Sequence, residues 1–114
     1  MKTMTVRQTA DALAEATALA RVLDRLAGMH AGTWLGTYYA GKRDACDLAT
    51  GAYYDWIFEK VEQPNVMIAY AANQVDDLEQ EIAWHLADGA YSADCGVDVA
   101  ITEADAEQLE AAYM

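Results

Sequence analysis

The stretch MHAGTWLGTYYAGK, residues 29–42, decides how the middle of this chain is built. Gly32, Gly36 and Gly41 argue against a helix that is stable in isolation. Trp34, Tyr38 and Tyr39 suit a strand or a packed turn. The expectation is an aromatic connection or a short hairpin, separating a helix before it from a helix after it.

The segment before it, TVRQTADALAEATALARVLDRLAG (5–28), reads as a helix. Thr5 and Gln8 have the spacing of a capping box, and Gly28 suits the C-terminal end. Leu13, Ala16, Leu19, Leu23 and Leu26 form its apolar stripe at steps of three and four. The segment after it, 43–62, reads as a second helix with Asp44 as its cap. Ala45, Leu48, Ala49, Ala52 and Trp56 share one face, and Ile57, Phe58 and Val61 add another. A helix apolar on most sides belongs in the centre of a bundle. Gln63-Pro64 ends it.

A third helix is expected over 65–88, with Pro64 at its first turn and Gly89 at its end. Ile68, Ala71, Val75, Leu78, Ile82 and His85 form its core stripe. Residues 90–101 read as extended chain, with Val97, Val99 and Ile101 alternating as in a strand. Thr102 then caps a short last helix over 103–113. The fold class is therefore mainly α: a single-domain helical bundle spanning residues 1–114. It has three longer helices, a short C-terminal helix and one short strand or hairpin.

The 114 residues suffice for one domain, and 54% hydrophobic content places the chain among folded proteins. No basic segment followed by an apolar run marks a secretory signal, and the uncharged run Leu26 to Gly41 is too polar to span a bilayer. A cytoplasmic location is expected. Cys46 and Cys95 make no metal spacing with His30 or His85 and are expected to be two packed thiols.

Charge is distributed unevenly. Lys2, Arg7, Arg21, Arg25, Lys42, Arg43 and Lys60 all fall before residue 61 and balance the acids there. Residues 61–114 hold twelve acids and no Lys or Arg, so they carry the whole net charge of −12. That balance disfavours direct contact with nucleic acid. The opening TVRQTADALAEA resembles the start of a helix-turn-helix, but no basic recognition helix follows.

Catalytic constellations are incomplete. GTYYAGKR (36–43) matches G-x-x-x-x-G-K and then places Arg43 where a phosphate loop needs Ser or Thr. The alternative is an aromatic turn. Glu81 and His85 are four apart, a spacing that orients an imidazole, but no nucleophile or second metal ligand accompanies them. A structural histidine is the preferred reading. No catalytic, cofactor-binding or metal-binding residue is assigned, and a non-enzymatic protein is expected.

The segment VDDLEQEIAWHLADG (75–89) carries five acids and no Lys or Arg of its own. On a helical wheel Trp84 falls nearly opposite the apolar stripe, flanked by Asp77, Glu81 and Asp88. An indole among carboxylates suits a basic partner, because arginine stacks on tryptophan. The alternative is that Trp84 faces a second core layer. Glu103, Glu107 and Glu110 fall on one stripe of the last helix, with about 5 Å of rise per charge against about 3.4 Å per phosphate along one DNA strand. Asp94 and Asp98 extend that surface. An ordinary solvated helix face is the alternative, but such faces usually mix signs.

These nine residues give the functional expectation. The protein is read as an acidic inhibitor or decoy that binds the basic groove of a nucleic-acid-binding protein or nuclease complex, its carboxylates occupying phosphate sites. Small acidic inhibitors of restriction or CRISPR machinery are similar in charge and size, though no motif assigns the chain to a family. The alternative is a small helical scaffold that self-associates, as a homodimer for example, with its acids serving solubility.

Overall fold

The computed structural model describes residues 4–87, together with the backbone of residues 92–93 and 97–98. Three helices make up the body: α1 (Val6–Met29), α2 (Trp34–Lys60) and α3 (Pro64–Ala87). Mainly α is therefore correct. The pairs His30–Tyr39 and Asp24–Arg43 show α2 running antiparallel to α1. The pairs Arg7–Tyr70 and Arg25–Glu79 show α3 running parallel to α1. The chain thus runs up, down and up.

Helix α1 starts as expected. Thr5 Oγ1 accepts from the Gln8 amide at 3.1 Å, and Gln8 Oε1 accepts from the Thr5 amide at 2.9 Å. Together they satisfy two amide donors that a helix start leaves open. The helix ends at Met29, where the His30 amide bonds back to Leu26 and Gly28.

The 29–42 expectation is overturned. Only residues 30–33 connect the first two helices, and α2 begins at Trp34. Gly32, at φ +81°, takes the left-handed conformation that lets so short a link turn back. Thr33 is the cap, its Oγ1 accepting from the Gly36 amide at 3.2 Å. Asp44, expected to cap, lies well inside a 27-residue helix and bonds Arg43 instead. Tertiary packing outweighs the poor helix propensity of the glycines here. Tyr39 is fully buried with its ring 6.0 Å from that of His30, and Trp34 stacks on Tyr38 one turn on, at 5.6 Å.

The central helix is also different from the expected one. Helix α1 packs against both other helices, while α2 and α3 scarcely meet. Half of α1 is buried, including Leu13, Leu19, Leu23 and Leu26 and a set of alanines that lets its neighbours approach closely. Helix α2 buries only Gly36, Tyr39, Cys46 and Ile57 fully. Its remaining apolar residues do not surround it with core. Leu48 and Phe58 are exposed.

Beyond α3, Ser92–Ala93 (β1) pairs antiparallel with Val97–Asp98 (β2), Ser92 opposite Asp98 and Ala93 opposite Val97. Two residues on each side add no layer to the fold, and the expected strand is not an element of the architecture. The extended run at Val99 and Ile101 and the terminal helix over 103–113 lie outside the described residues.

Candidate functional site

Helix α3 places its side chains by simple periodicity. Ala71, Val75, Ile82, Ala83 and Leu86 are buried, with Ile68 and Leu78 partly so. His85 was expected on this stripe and is instead exposed. The stripe drifts round the helix as it proceeds, and Ala83 and Leu86 take the positions nearest α1.

The same rotation turns Glu79 inward, to 5% exposure. It is held by the Arg25 guanidinium and by Arg21 Nη1 at 3.6 Å, which also reaches Asp76 at 3.2 Å. Two of the five acids in 75–89 are therefore balanced from α1. Sequence reading saw no cation within the segment and missed these two. A signal was present: Glu79 follows Val75 by four and precedes Ile82 by three, which puts a carboxylate on a core stripe. Such a group calls for a cation, and Arg21 and Arg25 sit one turn apart on α1.

The outer face of α3 carries what remains. Asp77 and Glu81 are exposed, and Trp84, next to Asp77 on the wheel, is 57% exposed. The indole does not belong to a second core layer. Glu81 Oε1 stands 3.7 Å from His85 Nε2, so a protonated His85 would offset part of the face's charge. Of the nine residues expected to meet a partner, these three share one face. Asp88, Asp94, Glu103, Glu107 and Glu110 lie outside the described residues, as does the side chain of Asp98.

Among the described residues, positive charge elsewhere is engaged within the chain. Arg7 reaches Asp11 at 3.9 Å and lies over the Tyr70 ring, Lys42 lies over Tyr38, and Lys60 meets Glu59 at 3.3 Å. Arg43 bridges α2 to α1 through Asp24 at 2.7 Å and also bonds Asp44. The Asp24 hydrogen bond, then that to Asp44, raises the Arg43 guanidinium above its ordinary value.

The phosphate-loop match takes a different form in the structure. GTYYAGKR forms two turns of α2, not a phosphate-cradling loop. An open groove of about 440 Å³ between α1 and α2 is lined by residues including Thr17, Asp24, Arg43 and Asp47, and by neither histidine. Among the described residues no group of three His, Cys, Asp or Glu is placed to hold a metal ion, and no helix is long and apolar enough to cross a membrane. Cys46 is buried, and its relation to Cys95 lies outside the described residues.

Comparison with family models, with curated proteins and with solved structures found no match.

Proposed function

We propose that this is a non-enzymatic binding protein that presents the outer face of α3 to a basic partner. The partner class is the nucleic-acid-binding groove of a protein or nuclease complex, where Asp77 and Glu81 would occupy phosphate positions and Trp84 would receive an arginine. The observation that supports this most is the half-exposed indole of Trp84, flanked by two exposed carboxylates on a helix whose other side is packed on α1. A large aromatic side chain left in water on an anionic face is well suited to recognition: it supplies contact area, and the carboxylates supply long-range attraction. The seven Lys and Arg of the chain all precede residue 61, so the proposed face meets no Lys or Arg of its own half.

The test is capture of proteins from a lysate on the immobilised chain, followed by elution with rising salt and, separately, with duplex DNA. Nucleic-acid-binding proteins should be retained at low salt and released by both eluents. The double variant Asp77→Lys, Glu81→Lys should lose them, and Trp84→Ala should weaken retention at least tenfold. Because the indole is over half exposed, Trp84→Ala should lower stability by less than about 1 kcal/mol in urea unfolding. Retention indifferent to salt and to the charge reversal would count against this function.

A further inference from the structure

Helix α2 has a second apolar face that the chain covers only in part: Tyr38 and Ala45 are half-buried against the core, while Trp34, Gly41, Leu48 and Ala52 are exposed. Trp34, Tyr38, Gly41, Ala45, Leu48 and Ala52 recur at steps of four and three, the spacing of a helix–helix seam. Trp34 is 77% and Leu48 78% exposed, the two most exposed large apolar side chains among the described residues. The core-facing side of α2 is a different one, carrying Tyr39, Cys46 and Ile57. Trp34 is already stacked on Tyr38, so the aromatic end of the seam is ordered before anything meets it.

We infer that this seam is a self-pairing surface, on which a second copy of the chain packs its own α2 in antiparallel orientation. Residue size selects the orientation. In the antiparallel register that uses all six positions, Trp34 covers the partner's Ala52, Tyr38 meets the partner's Leu48, and Gly41 meets the partner's Ala45. Bulky groups meet at the flanks while a glycine–alanine waist lets the backbones close. Parallel, in-register pairing sets Trp34 on Trp34 and leaves a gap where Gly41 faces Gly41. One twofold axis generates the whole contact, as closed homodimers require.

Charge selects the same face. The chain carries −12, which opposes association of two copies. Along α2, however, Lys42, Arg43 and Lys60 nearly balance Asp44, Asp47, Asp55 and Glu59. Helices α2 and α3 lie on different flanks of α1, so pairing through α2 keeps the exposed Asp77 and Glu81 of the two copies away from the contact. Area sets the strength. The seam runs about 27 Å and offers roughly 500 Å² per copy, below the roughly 800 Å² per partner of a standard specific interface. A dimer with a dissociation constant of micromolar order or weaker follows. This inference does not rest on the proposed function of α3.

Sedimentation velocity of the full chain over a wide concentration range tests it. A monomer–dimer equilibrium is expected that raised salt leaves intact or strengthens, because screening weakens the repulsion between copies. Leu48→Glu, at a solvent-facing position, should raise the dissociation constant at least tenfold while leaving helical content unchanged. Asp77→Lys, Glu81→Lys should not weaken the dimer. In a half-isotope-labelled sample, nuclear Overhauser contacts between copies should link the Trp34 indole to the Ala52 methyl. A chain that stays monomeric at every concentration overturns the inference. So does protection of Trp34 and Leu48 that is independent of concentration, because the chain itself would then cover the seam. Contacts between Trp34 and Trp34 of the two copies overturn the antiparallel register.

Discussion

Gly36→Ala is expected to destabilise the fold by roughly 3 kcal/mol, although alanine favours helix over glycine by about 1 kcal/mol. A Cβ built at Gly36 lies 2.2 Å from the His30 carbonyl oxygen, 2.7 Å from its carbon and 3.3 Å from the Ala27 oxygen. These are backbone atoms at the end of α1 and have no rotamer by which to escape. The start of α2 must move, and the buried Tyr39 moves with it. Gly51→Ala is the control. Gly51 is exposed in the same helix with nothing within 4 Å of its added Cβ, so the change should raise stability by about 0.5–1 kcal/mol. In thermal unfolding the first variant should melt roughly 10–20 °C below the wild type and the second a few degrees above it. Equal stabilities for Gly36→Ala and the wild type would mean that α2 does not begin against the end of α1.

The second large effect is an asymmetry at Glu79. Replacing both Arg21 and Arg25 by alanine leaves a carboxylate at 7% side-chain exposure without its two cations, and the expected cost is about 3–5 kcal/mol. Replacing Glu79 by glutamine leaves two arginines that are about half exposed and able to rehydrate. That change should cost only about 1 kcal/mol. Introducing Glu79→Met into the double-alanine chain should recover much of the loss, because the uncompensated charge is then gone. Urea unfolding of the four chains completes the comparison. If Glu79→Gln proves as costly as the double-arginine variant, Glu79 is not the buried member of the cluster.

Much of the architecture was legible in the sequence. The Thr5–Gln8 box and the leucine spacing placed α1, and Pro64 with the Ala71–Val75–Ile82 rhythm placed α3. The start of α2 was not legible, for a physical reason. Propensity counts Gly36 as a cost to helix, whereas in the folded chain Gly36 is what allows α2 to begin against the His30 carbonyl. That requirement exists only once two helices are docked. The centre of the bundle was misread in a related way. Apolar residues all round α2 suggested burial, but one of its faces is the seam at Trp34 and Leu48, which stays in water. The helical wheel put Trp84 opposite the core stripe but left open whether a second core layer covered it, and the burial of Glu79 was readable from the same wheel. Its partners were not, because pairing Arg21 and Arg25 with Glu79 depends on how α1 and α3 align.

The proposed anionic recognition face is tested most directly through the indole itself. In a chain carrying Trp34→Phe and Trp56→Phe, Trp84 is the sole tryptophan, and its emission can be followed while an arginine-rich peptide is added. Saturable change in the emission at low salt, lost at high salt and in the Asp77→Lys, Glu81→Lys background, is the expected result. Emission that the peptide leaves unaltered at low salt, or that responds equally after charge reversal, would contradict the account.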